Sequence, residues 1–221
     1  MDNLNSNISF AGRPKINKII PKAQKKFRSF CAGIESPSYM CYFTPADELS
    51  RTALKDANLR LGFSRTFRKS LLGDGGLPEY FRGFVGIIKA FKIGNCDEFA
   101  ELMKIILRMN KVKRCDMFAL YSQKANETPK ALDHCVVALN VPKTKNNKKN
   151  RIPFVPKDNV RIIDMWWPNG FIGNVKKAKE LYKIFGLQKD EKLLLKPQPT
   201  LEPNKECFDR ILKDFPQLKI N

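Results

Sequence analysis

The sequence predicts an α+β fold, on two observations. A run with helical periodicity, GNCDEFAELMKIILRMN, is followed by three runs rich in β-branched and aromatic residues: CDMFALYSQ (115–123), DHCVVALNV (133–141) and NVRIIDMWW (159–167). The segment between the last two, PKTKNNKKNRIPFVPKD, is polar, basic and bounded by prolines, which is the composition of a long hairpin connection between antiparallel strands.

In chain order, residues 1–20 are Asn/Ser-rich with a Gly-Arg-Pro break, and no period is clear before about residue 47. Residues 1–43 are therefore expected to be a flexible or loosely packed N-terminal segment. TPADELSRTALKDANLRLGF predicts a helix with Thr44 as cap, Pro45 in the first turn, and Leu49, Ala53 and Leu54 at helical spacing. SLLGDGGLPEYF interrupts it, and EYFRGFVGIIKAFK predicts a second helix despite Gly83 and Gly86. In the third, Phe99, Leu102, Met103 and Ile106 share a core-facing side, with Glu101, Lys104 and Arg108 on the other. After the strands come a helix in NVKKAKELYKIFG, a proline-rich link (KPQPTLEP) and a short amphipathic helix in NKECFDRILKDF. These elements divide the chain into a main domain over 44–196 and a C-terminal linker and helix over 197–221, packed on it.

Lys and Arg number 41 against 22 Asp and Glu, a formal charge of +19 that attracts acidic surfaces, nucleic acid or anionic membranes. The basic residues are dispersed, without the pattern of an RNA-recognition sheet or a helix-turn-helix, so no specific nucleic-acid motif is read. The six cysteines form no CxxC and the sole histidine is His134, which excludes the spacing of a structural zinc finger; neither a metal nor a cofactor is expected. Free thiols in a reducing compartment are the simplest reading. No window carries about 18 uninterrupted apolar residues, so no membrane span is expected. The N-terminus lacks the apolar region of a cleaved signal peptide.

Among the cysteines, Cys96 opens a helix behind a glycine and a good capping residue. With Asn95 as N-cap and Glu98 as third residue, Asn-x-x-Glu is a version of the capping box. Unpaired N–H groups and the helix dipole favour a negative sulfur there, whereas Asp97 and Glu98 oppose it. Activation of the thiol therefore needs a histidine. On an antiparallel hairpin that pairs 138 with 160 and 136 with 162, His134 falls opposite Asp164 on the same face. Cys96, His134 and Asp164 then stand at a helix start, a strand start and the end of the next strand, the order a thiol–imidazole–carboxylate triad uses. Trp166 and Trp167 follow on alternating faces, placed so that one covers the triad.

The blocks GNCDEFAELM, LDHCVVALN and VRIIDMWWPN resemble the Gly-Asn-Cys-Gly-Glu, Asp-His-Val and Asp-Pro-Trp blocks of papain-like and transglutaminase-like cysteine enzymes, in particular bacterial effector proteases and glutamine deamidases. The resemblance covers about residues 90–170. It implies a papain-like or transglutaminase-like core, with a nucleophile at a helix N-terminus packed on an antiparallel sheet that carries His and Asp, and with extra helices at both ends. It further implies Cys96 as nucleophile, His134 as general base and then acid, and Asp164 as the group that holds the imidazole. Asn95 is the candidate oxyanion or positioning residue, and Trp166 and Trp167 are the candidate substrate contacts. The chain departs from the pattern at Asp97, where glycine is usual, and at Met165, where proline is common.

The expected activity is a cysteine hydrolase or acyltransferase acting on protein carboxamide or peptide bonds. The basic 143–157 connection suggests an acidic protein substrate. The resemblance is also compatible with export without a cleaved signal peptide, beside the cytoplasmic reading. The alternative is a basic binding module with an inactive triad, held on nucleic acid or an anionic membrane by its charge.

Overall fold

Ten consecutive residues of the helix that begins at Cys96, Glu98 to Leu107, are buried, and the rest of the molecule is arranged around them. The computed structural model describes residues 13–34, 36, 48–74, 76–141, 152–167 and 169–220. It is an α+β protein whose elements run α1 (Arg13–Phe30), α2 (Glu48–Asp74), α3 (Gly76–Phe91), α4 (Cys96–Met109), β1 (Cys115–Gln123), β2 (Lys130–Leu139), β3 (Arg161–Asp164), β4 (Phe171–Asn174), α5 (Val175–Leu181), β5 (Lys192–Pro197) and α6 (Lys205–Asp214). The five strands form an antiparallel sheet in the order β4-β3-β2-β1-β5.

Strand alternation gives the sheet two apolar faces. Cys135, Val137, Leu139 and Ile163 join the larger core with Phe27 of α1, Phe84 of α3, Leu102 and Ile106 of α4 and Ile211 of α6. Val136, Ala138 and Ile162 face the opposite way, onto Ala178 of α5, Tyr182 and Leu195. A helix sandwiched this way needs no polar face, which corrects the expectation that Glu101 and Lys104 look to solvent. Glu101 accepts a long hydrogen bond from the buried Tyr80 hydroxyl (3.4 Å). Lys104 donates to Thr200 and Glu202 at 2.6 Å each, so the chain after β5 is tied across α4.

The N-terminal segment is also corrected in part. Residues 13–30 form α1 and bury Ile20, Ala23, Phe27 and Phe30 in the larger core. Pro21 lies inside this helix, where it typically costs about 3 kcal/mol, and the apolar burial on its inner face offsets that cost. Residues 1–12, Thr44 and Pro45 lie outside the described residues, as does most of the 143–157 connection. Phe154, at the end of that connection, bridges to Leu195 of β5.

The register of β2 on β3 differs from expectation by two residues: Val137 pairs with Ile163 and Ala138 with Ile162. A slip of two preserves the face of every side chain, whereas a slip of one would have sent Asp164 to the other side. Asp164 therefore reaches His134 diagonally rather than from the directly opposed position. Strands β4 and β5, which the sequence reading did not foresee, occupy the two sheet edges.

Candidate active site

Gly94 and Asn95 set the start of α4. A Cβ on Gly94 would lie 2.7 Å from Phe99 Cε1, so only glycine allows this entry to the helix without moving the ring. The Asn95 backbone N–H donates to Glu98 Oε2 at 3.0 Å, the return half of the expected capping box. Asn95 Oδ1 accepts from the Ser36 hydroxyl at 3.1 Å.

The two carboxylates that follow Cys96 are met by a residue distant in sequence. Arg65 of α2 donates from Nε to Glu98 Oε1 (2.7 Å) and from Nη2 to both Asp97 oxygens (2.8 and 2.9 Å). Glu98 shares the guanidinium with Asp97 and also accepts from the Asn95 N–H, and its carboxyl is held below the ordinary value despite its burial. Asp97 takes the opposite course. Removal from water, with the Glu98 carboxylate beside it, pushes Asp97 up to about 7 although its side chain keeps 44% of its surface. The first turn of α4 thus carries less than two full negative charges near neutrality, with Arg65 paired to both carboxylates.

The Cys96 thiol is half-buried and meets the backbone N–H of Cys135 on β2. Burial pushes the thiol well up, Asp97 and Cys135 push it the same way, and the Cys135 N–H opposes them. The resting side chain is therefore a protonated thiol, and the helix start alone does not make it a thiolate.

His134 Nε2 and Asp164 Oδ2 are 2.7 Å apart, both side chains buried. Asp164 also accepts from the Trp166 backbone N–H (3.1 Å), Trp167 Nε1 (3.0 Å) and the Tyr182 hydroxyl (3.2 Å). Burial and the neighbouring carboxylate raise the Tyr182 phenol well above its ordinary value, so it remains a donor. Aromatic rings enclose the imidazole: Phe185 stacks on it at 4.5 Å, with Trp166 edge-on at 5.3 Å and Tyr182 at 5.7 Å. Four donors on one carboxylate fix its position, and the carboxylate with the ring stack fixes the imidazole.

The structure thus joins His134 to Asp164, as the sequence reading expected, and sets Cys96 against the residue that follows His134. Among the described residues no hydrogen bond joins the Cys96 thiol to the imidazole. A chain of contacts links the two halves instead: Asn95 Oδ1 to Ser36, Ser36 to Trp166 Nε1 (3.1 Å), and Trp166 N–H to Asp164. Both tryptophans, read from sequence as substrate contacts, turn their ring N–H inward, Trp166 to Ser36 and Trp167 to Asp164. Trp166 is buried, and Trp167 is the half-buried one of the two. The reading missed Arg65, Ser36, Tyr182 and Phe185. The one available signal was the unbalanced Asp97-Glu98 pair, which required a cation from elsewhere in the fold.

No family model, curated protein or solved structure matches the chain.

The Arg65 clamp yields an expected result. In Arg65→Gln the carboxylates at the start of α4 lose their counter-charge, the thiolate becomes less favourable, and alkylation of Cys96 by iodoacetamide slows several-fold near neutral pH. Asp97→Asn acts in reverse, speeding alkylation above about pH 7, where Asp97 is ionised in the native chain. Rates for both variants that match the unsubstituted protein would show that this cluster does not act on the thiol.

Proposed function

We propose that the protein is a thiol-dependent hydrolase or acyltransferase, of papain-like or transglutaminase-like type, acting on carboxamide or peptide bonds of a protein substrate. The observation that carries this reading is the buried hydrogen bond from His134 Nε2 to Asp164, on the strand whose next residue meets the thiol at the start of α4. With Nε2 committed to Asp164, proton exchange with the thiol runs through Nδ1.

Cys96 sulfur attacks the carbonyl carbon as His134 takes the thiol proton, forming a C–S bond and a tetrahedral oxyanion. Asn95 and the backbone N–H at the start of α4 are the proposed donors to that oxyanion. The C–N bond then breaks, His134 returns the proton to the departing nitrogen, and a thioester remains on Cys96. A water molecule, deprotonated by His134, attacks the thioester; the C–S bond breaks and the proton returns to sulfur. Ammonia as the leaving group makes this a deamidation, a peptide amine makes it proteolysis, and an acceptor amine in place of water makes it transamidation. The protonated resting thiol fits a nucleophile that is activated only when the imidazole engages it, and Trp167 is the remaining candidate for contact with substrate.

Mass spectrometry of acidic candidate substrate proteins, incubated with the full chain, tests the reading. The expected products are a gain of about one dalton at glutamine, a new terminus or a cross-link, each absent with Cys96→Ala. Identical product spectra with the two proteins, together with Cys96 alkylation no faster than that of half-buried Cys31, would sink the proposal.

A further inference from the structure

The outer side of α2 carries Leu59, Phe63 and Phe67, which are 53%, 62% and 54% exposed. Spaced four residues apart, they form one stripe about 12 Å long, on the side of the helix away from buried Ala57, Leu61 and Ser64. The stripe ends at an open cavity of about 350 Å³ between α2 and α3, where Phe67 and Leu71 face Ile87, Phe91 and Phe215. Gly83 lets the two helices approach there, since a Cβ would fall 2.1 Å from Leu71 Cδ1. The charges at the cavity rim are satisfied within the protein, Arg82 being paired with Glu79 and Asp214.

Three large apolar side chains on consecutive turns, continuous with an apolar cavity, form a patch that a monomer in water ordinarily covers. Charge selects the occupant. A second copy of this chain would bring another +19 against +19, while an anionic surface is attracted. Helix α2 itself carries six basic against three acidic residues, and Lys55 is exposed one turn before Leu59. Nucleic acid would satisfy the charge but offers no apolar phase to Leu59. A lipid headgroup and acyl boundary satisfies both, and among the described residues no helix is long and apolar enough to cross a membrane. We propose that α2 is an interfacial helix that lays its Leu59–Phe63–Phe67 face into an anionic lipid surface. On that surface the opposite side of the same helix, which carries Arg65, holds the start of α4.

The test is co-sedimentation of the full chain with phosphatidylcholine vesicles, with and without about 30 mol% phosphatidylserine, at low and high salt. Binding to the anionic vesicles that weakens with salt is expected, as is a loss of at least about tenfold in partitioning for Leu59→Gln/Phe63→Gln/Phe67→Gln with an unchanged unfolding midpoint. Equal partitioning of the triple variant overturns the proposal, and so does failure to bind anionic vesicles. Light scattering that shows a dimer broken by the variant, or gel shifts showing RNA binding lost with it, in a chain that ignores vesicles, assigns the stripe to another occupant and also overturns it. None of these outcomes depends on Cys96, so failure here is separable from failure of the proposed chemistry.

Discussion

Asp164→Ala is expected to destabilise the protein by about 4 kcal/mol, seen as a lower denaturant midpoint at unchanged slope. The carboxylate is buried and accepts from His134 Nε2, Trp166 N–H, Trp167 Nε1 and the Tyr182 hydroxyl. Removing it leaves four donors facing one small cavity. Each unsatisfied buried donor costs about 1–3 kcal/mol, and relaxation together with entry of water keeps the total below the sum. Since domains of this size are stable by about 5–15 kcal/mol, the loss is a large share of the total. Asp164→Asn keeps the volume and one acceptor oxygen but turns an amide N–H₂ toward donors, and is expected to cost about half as much. Tyr182→Phe removes one long contact and costs about 1 kcal/mol. If the aspartate also orients the imidazole for catalysis, Asp164→Asn lowers turnover by about 10⁴-fold, the magnitude of the same change in a serine protease triad. A stability loss of under about 1 kcal/mol for Asp164→Ala would show that the cluster does not hold this part of the fold.

The Asp164 pairing was legible in the sequence because strand alternation is insensitive to a slip of two residues: the register expectation was off, yet the shared face and the partner were right. Strand β1 was legible in full, since CDMFALYSQ has the composition of a strand and runs straight out of the turn after α4. Helix α1 was not, although Ile20, Ala23, Phe27 and Phe30 keep a helical period. Pro21 within the run argues against a helix locally, and only the tertiary burial of that face decides the matter. Strand β5 was missed for a related reason. Its LLL core lacks β-branched residues and runs into Pro197, a combination tolerated because β5 is an edge strand.

What lies farthest from sequence reading is the electrostatics at the start of α4. Asp97 read as an obstacle to a thiolate because two carboxylates in one turn repel it. The fold answers with Arg65 from another helix, and the carboxylates respond by letting Asp97 hold a proton near neutrality. The obstacle is thus reduced, since Asp97 is partly protonated near neutrality and Arg65 is paired with both carboxylates. What keeps the thiol up is burial, the largest cause, and a sequence pattern does not report burial at a helix end.

His134→Ala separates an imidazole that only packs from one that exchanges a proton. The packing effect is expected in either case. The ring is stacked on Phe185 at 4.5 Å and edge-on to Trp166, and truncating a buried aromatic ring leaves a cavity that costs about 2–4 kcal/mol. The chemical effect is specific to Cys96. Burial pushes both Cys96 and Cys31 up, so each alone alkylates slowly near neutral pH. If His134 Nδ1 accepts the Cys96 proton, Cys96 reacts faster than Cys31 in the native chain at about pH 7, and His134→Ala lowers it at least about tenfold to the Cys31 level. With rising pH the native and variant rates at Cys96 converge, because hydroxide replaces the imidazole as base, while Cys31 is unchanged throughout. A variant that loses stability but keeps the native Cys96 rate and pH profile makes His134 a packed ring with a hydrogen bond, and leaves the thiol without a base.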